Sequence, residues 1–352
     1  MSISPNPELR TAPRIQTTVP TALSRKSSPV AAIAPAPRIE LHSSKISKYL
    51  DVAFRNSLLI CSASILAIMG LFFYELAVRS KLSIARFGLS FFVGRTWDPV
   101  AGDFGALPFI YGTLVSSLVA LVLAVPLAVG VAVFVTELCP RHLRGLISFT
   151  VELLAAIPSV IYGLWGIFVL APILRNQVQP WLAHYLGWTS LFSGPAYGIG
   201  MLAAGIILAI MIIPIIASIT REVLVAVPQN QREAVLALGA TRWEMVRMAV
   251  LRNARAGIMG GIILGLGRAI GETMAVTMLI GNRAEIAQSL FAPGYTMASV
   301  IANEFSEATD DLYLSALVEI GLVLLIVTII VNACARLLIW SITRGDSARS
   351  NA

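Results

Sequence analysis

Six apolar stretches, residues 57–76, 108–136, 146–174, 199–220, 257–280 and 312–340, dominate this 352-residue sequence. A hydrocarbon core about 30 Å thick takes roughly 20 helical residues to cross, and each stretch is that long. The expectation is an all-α, polytopic membrane protein with six transmembrane helices. The three longest stretches must tilt, kink or extend past the bilayer. Composition agrees: 57% of residues are hydrophobic, only 13% are charged and the mean hydropathy is +0.80, outside the range of soluble globular domains.

Orientation follows from Lys and Arg in the connecting segments. With the N-terminus in the cytoplasm, 14 basic residues flank the inner ends, including Lys45, Lys48, Arg141, Arg144 and the six arginines of 221–255, against 6 on the outside. The positive-inside rule therefore favours both termini in the cytoplasm of a multi-pass plasma (inner) membrane protein. The net charge of +7 is then an insertion signal. It is no nucleic-acid footprint, which needs a soluble basic face.

Residues 1–44, rich in Pro, Ser, Ala and Thr, cannot bury enough surface to offset their ordering entropy, and read as a disordered cytoplasmic tail. Residues 45–106 hold the first span and an external loop. A core follows at 107–340 with a cytoplasmic loop at 221–256, and 341–352 form a second tail. The three cysteines and three histidines lack metal-ligand spacing. No G-x-x-x-x-G-K-[ST] phosphate loop, H-E-x-x-H metal site or G-x-S-x-G elbow occurs. No catalytic residue, metal site or cofactor is assigned to this chain, so any energy for pumping comes from elsewhere.

The 221–256 loop divides into a helix at 231–238, Gly239 and a second helix from Thr241. Thr241 and Glu244 have the spacing of a capping box, and Gly239 suits the left-handed position that ends one helix before the next begins. Two readings fit: a helix held in the cytosol between two spans, or an amphipathic segment lying on the membrane surface.

Residues 265–276, GLGRAIGETMAV, place Arg268 and Glu272 inside the fifth apolar stretch, where charge is expensive and marks function by default. At about 100° per residue, Gly257, Gly261, Gly265, Arg268, Glu272 and Ala275 fall within a stripe of about 80°, with Arg268 roughly 16 Å from the cytoplasmic start. Small residues at every fourth position let another helix approach closely. On spacing alone, the two charges fit equally a buried ion pair joining helices and the lining of an anion path.

The 221–256 loop resembles the Glu-Ala-Ala loop of binding-protein-dependent ABC importer permeases. Glu233, Ala234 and Gly239 match at the family spacing, as does Leu251. Val235 replaces the second alanine, Ala249 stands where Ile is usual and Arg252 replaces a proline. FGALPFIYGTLVSSLVALVLAVPLAVGVAVFVTE, ELLAAIPSVIYGLWG and GLGRAIGETMAVTMLIGN are similar to the spans of phosphate importer permeases of the PstC type, and together cover most of residues 104–282. The N-terminal 44 residues lie outside the resemblance.

The resemblance implies a type I ABC importer permease fold, with Glu233, Ala234 and Gly239 in a coupling helix that docks on an ATPase. It implies as partners a homologous PstA-type permease, two PstB-type ATPase subunits carrying ATP and Mg, an extracytoplasmic PstS-type phosphate-binding protein and inorganic phosphate, with no nucleic acid. It also implies that Arg268 and Glu272 line the phosphate path. An arginine fork suits phosphate oxygens, and a carboxylate can accept the hydrogen bond of a remaining P–OH. The alternatives are a permease for another oxyanion, or an ion-driven carrier or channel without an ATPase.

Pro126, Pro158 and Pro214 are expected to kink their spans. Glu152 is expected near a cytoplasmic end, and Glu319 deeper. The acidic outside loop, with Glu285, Glu304, Glu307, Asp310 and Asp311, reads as a docking surface for a binding protein or as a solvated loop.

Overall fold

The computed structural model describes residues 45–350; the tail expected over 1–44 lies outside them. Six helices are long and apolar enough to cross a membrane: Tyr49–Arg79, Leu107–Leu138, Ser159–Leu186, Met201–Val225, Arg242–Ile270 and Asp311–Trp340. They are called the first to sixth spans below. Among the described residues the only strands are Trp97–Asp98 and Asp103–Phe104, paired antiparallel. The chain divides into two compact units, Met1–Ala63 and Ser64–Ala352. In the first, the described residues begin the helix Lys45–Arg79. Leu58, Leu59 and Ile60 are all exposed there, and a helix apolar all round is what lipid surroundings require.

The second unit is built around the fourth span, where 67% of the most apolar window is buried, against 33% in the second, third, fifth and sixth. Small residues make this close packing possible. Ala120, Ala124 and Ala128 recur every fourth position of the second span and are fully buried, clustered with Ala204, Leu208 and Ile212 of the fourth. Gly257, Gly261 and Gly265 of the fifth span press on Val223, Ile219 and Ile216 of the fourth. A Cβ at Gly265 would fall 2.8 Å from Ile216 Cγ1, so only glycine permits this approach.

Two apolar stretches are not the continuous helices their hydropathy suggests. The stretch 146–174 breaks at Ile157 and Pro158, between a helix Arg141–Ala156 and the third span. Proline lacks an N–H and drives the preceding residue out of helical conformation; Ile157 is extended at φ −70° and ψ 128°. The stretch 257–280 breaks at residues 271–273, between the fifth span and a short helix Met274–Leu279. Gly267 and Gly271 weaken the helix there, and Gly271 leaves it at φ −90° and ψ 0°. The fifth span also begins earlier than hydropathy suggests. The helix capped at Thr241 continues through a π-helical segment, Val246–Leu251, into Arg252–Ile270.

At the hairpin end, Trp97, Phe104, Phe109 and Tyr313 pack edge to face or stacked, the Phe104 and Tyr313 rings lying 5.5 Å apart and 6° from parallel. Trp97 Nε1 and the Tyr313 hydroxyl each donate to Glu304 Oε2 at 2.7 Å. Glu304 is therefore a fastener between the hairpin and the sixth span. Burial pushes the Tyr295 phenol up from its ordinary value. Asp310 accepts from the Leu312 and Tyr313 N–H groups and starts the sixth span, satisfying donors that a helix N-terminus leaves open.

Candidate functional site

Arg268 ends the fifth span, and its guanidinium faces a cavity of about 280 Å³ lined also by Leu154, Ile157, Tyr162, Met211 and Ile215. At roughly 30 Å³ per water, the cavity holds about nine water volumes, room for a tetrahedral oxyanion. It lies at mid-depth: Met211 and Ile215 are central in the fourth span, and Ile157 is at the break before the third. The Tyr162 hydroxyl donates to the Leu154 carbonyl at 2.7 Å, closing one of the backbone acceptors that the Pro158 break frees.

Glu272 stands 3.4 Å from Arg268 Nη2, with 49% of the arginine side chain exposed and 4% of the glutamate. The pair is therefore asymmetric. Glu272 is buried just past the helix end, where its Oε1 accepts a long hydrogen bond from Ala275 N–H at 3.5 Å, and it does not line the cavity. Arg268 keeps donors free toward the open space. Because of the break, Glu272 and Ala275 do not continue the helical stripe that runs through Gly257, Gly261 and Gly265. Those glycines face the fourth span of the same chain.

Beyond the two breaks, the resumed helices pack on each other. A Cβ at Gly163 would meet Met278 Sδ at 2.5 Å and Ala275 Cα at 3.2 Å, and Gly166 abuts Leu279. The cavity thus has one wall from the Arg268 side of the fifth span and the fourth span, and another from the chain around the Pro158 break.

At the arginine-rich end, the 221–256 loop forms the helix Gln229–Ala237, starting two residues earlier than expected because Pro228 can serve as the cap, with its φ preset. Gly239 has φ +86°, the left-handed conformation expected of it. Thr241 and Glu244 form the expected capping box, Thr241 N–H donating to Glu244 Oε2 at 2.8 Å and Glu244 N–H to Thr241 Oγ1 at 3.3 Å. Glu233, Ala234 and Gly239 are all exposed. Leu238 and Trp243 beside them are 86% and 65% exposed, an apolar surface of the kind that marks a protein contact.

Several contacts escape sequence reasoning. Arg221 pairs with Glu152 at 2.9 Å, and Arg232 with Glu137 at 3.2 Å; each couples residues too distant in sequence for any helical spacing to signal them. Glu319 is 3% exposed, with its Oε2 lacking a hydrogen-bond partner. Among the described residues, no group of three or more His, Cys, Asp or Glu is placed to hold a metal ion.

Comparison with known proteins agrees with this architecture. Residues 124–343 match the family model described as binding-protein-dependent transport system inner membrane component. The phosphate transport system permease protein PstC of Mesorhizobium japonicum is 48% identical over 83% of this chain and 90% of its own length. The protein of the same name from Pasteurella multocida is 42% identical over 85% of this chain and 95% of its own. A solved bacterial ABC transporter involved in the import of the acidic polysaccharide alginate superposes with a TM-score of 0.54 at 16% identity, covering 82% of this chain and 98% of that one. That likeness concerns the fold alone. With six spans, the fourth of them buried, a cavity at mid-depth and relatives this similar over most of its length, the chain belongs to the family of binding-protein-dependent transport system inner membrane components.

Proposed function

We propose that the chain is a transmembrane permease subunit of an ATP-driven phosphate importer, with both termini in the cytoplasm. The observation that carries this reading is the 48% identity, over 83% of the chain, to a phosphate transport permease. The site chemistry supports it. Arg268 offers a permanently charged, forked donor set to a cavity otherwise lined by apolar and tyrosine side chains. Glu272, held behind it, aims the guanidinium, and reaches the anion's P–OH only when the pair opens.

The chain supplies half of a translocation path, the other half coming from a homologous permease. Glu233, Ala234 and Gly239, with the exposed Leu238 and Trp243, form the surface on which an ATPase subunit docks. Two such subunits with ATP and Mg drive alternating access, and an external phosphate-binding protein delivers the ion to the hairpin end. This chain performs no covalent chemistry.

Phosphate uptake in cells lacking this chain, with sulfate as competitor, tests the proposal. High-affinity phosphate uptake should be lost and sulfate should not compete; unchanged uptake would reject the substrate.

A further inference from the structure

The helix Gln229–Ala237 meets the membrane-spanning body through one face. Gln231, Arg232 and Val235 fall within about 100° of each other at 100° per residue. Gln231 Oε1 accepts from Asn253 Nδ2 at 2.6 Å, where the fifth span resumes α-helix after its π-helical segment. Val235 packs on the cluster that includes Leu224, Val246 and Ala254. Arg232 reaches the two other spans: its Nη2 donates to the Leu224 carbonyl at 2.7 Å and stands 3.2 Å from Glu137 Oε1.

Both acceptors are helix ends. Leu224 is in the last turn of the fourth span, its carbonyl also accepting from Val227 N–H at 3.3 Å, and Glu137 is in the π-helical segment Phe134–Leu138 that ends the second span. The joint is shielded, the Arg232 and Glu137 side chains being 17% and 7% exposed. It is also unsaturated, since Arg232 Nε and Glu137 Oε1 make no hydrogen bond. The stronger forked contact between guanidinium and carboxylate is thus unused in this conformation. The other face of the short helix, with Glu233, Ala234 and Leu236, is open.

We propose that Arg232 is a positioning residue that carries displacement of this helix to the ends of the second and fourth spans, and so to the cavity that Met211 and Ile215 of the fourth span line. The proposal rests on the importer reading above and adds the joint through which work done on the open face enters the membrane. A push on that face is delivered to two spans by one guanidinium, while the contacts of Gln231 and Val235 act on the fifth span and the shared apolar cluster.

The test uses the complete importer, with its ATPase and binding protein, in proteoliposomes, and compares wild type with Arg232→Ala and Glu137→Gln. The readout is phosphate imported per ATP hydrolysed, together with the amount of ATPase that co-purifies. Both variants should retain the ATPase. The transport ratio should fall about tenfold in Arg232→Ala, within the usual range of coupling between sites, and less in Glu137→Gln, which keeps the shape and the Leu224 hydrogen bond. A merely structural role would lower uptake and hydrolysis together with abundance; an unchanged ratio in either assembled variant overturns the proposal. If Arg232→Ala does not assemble, Glu137→Gln decides alone. Should the wild-type complex import no phosphate, the substrate reading falls by itself. The joint is then read from hydrolysis stimulated by the binding protein, which both variants must lower for the proposal to stand.

Discussion

Replacing Arg268 with glutamine removes the one charged side chain lining the cavity, and the structure sets how large the effects should be. A charge-assisted hydrogen bond contributes about 1.5–3 kcal/mol, and each 1.4 kcal/mol is a factor of ten. Occupancy of the cavity by an anion should therefore fall roughly 10- to 150-fold. Folding suffers too, because Glu272 is left buried without its cation. At 3.4 Å and an effective dielectric of about 20, the Coulomb attraction is about 5 kcal/mol. Half of the arginine side chain is in contact with open space, so screening reduces this well below the 3–5 kcal/mol typical of breaking a fully buried pair. Arg268→Gln should lower membrane abundance modestly and uptake severely.

Glu272→Gln should behave differently, because it leaves a half-exposed cation rather than a buried anion. The protein should insert normally, hold phosphate more tightly and turn over more slowly, with apparent KM and kcat both reduced. Arg268→Lys keeps the charge but not the planar fork, and should recover uptake in part. The double variant with Gln at both positions should insert normally and stay silent. Membrane abundance and uptake kinetics across this set decide between the two roles of the pair. A double variant that transports at the wild-type rate would refute the anion-path assignment and make the pair a structural brace.

Gly239→Val puts a β-branched side chain at φ +86°, a conformation such residues resist by about 1–2 kcal/mol; the chain should insert while less ATPase co-purifies, as a pull-down would show. Gly265→Val drives a side chain into Ile216 and should cost about 1–3 kcal/mol by overpacking, lowering abundance and thermal stability. Gly260→Ala, with nothing within 4 Å of the added methyl, is the control and should be neutral or stabilising by up to about 1 kcal/mol. Tyr162→Phe removes the hydroxyl that bridges the Pro158 break and should cost about 1 kcal/mol with a larger drop in uptake than in abundance; equal losses would deny the tyrosine a place on the path.

What the sequence reveals about this molecule is local or periodic. Thr241 with Glu244, and the left-handed Gly239, are legible because a cap is decided by residues three apart. The glycines at 257, 261 and 265 are legible because every fourth residue of a helix shares a face. Neither signal says which neighbour the face meets, and that neighbour is the fourth span of the same chain. Hydropathy is an average over some twenty residues, so it passes smoothly across Pro158 and across residues 271–273, where the backbone leaves the helix. Arg232 and Glu137 lie on separate stretches of chain, and only the packed fold brings them within 3.2 Å.

The two breaks belong together physically. Each break frees backbone groups and ends a rigid rod; the Pro158 break lines the cavity through Ile157, and Arg268 reaches it from the last turn before the other break. On one side, the glycine seam locks the fifth span to the fourth. On the other, Gly163 and Gly166 lock the start of the third span to the helix Met274–Leu279. Arg268 is the last charged residue before the fifth span gives way at Gly271, and Glu272 is the first after it. Their ion pair therefore spans the joint between two close-packed bodies. On the importer reading proposed above, an anion that drew Arg268 away from Glu272 would weaken the contact across that joint. On the same reading, binding at the cavity and relative movement of its walls would be coupled through this pair, the coupling that alternating access requires.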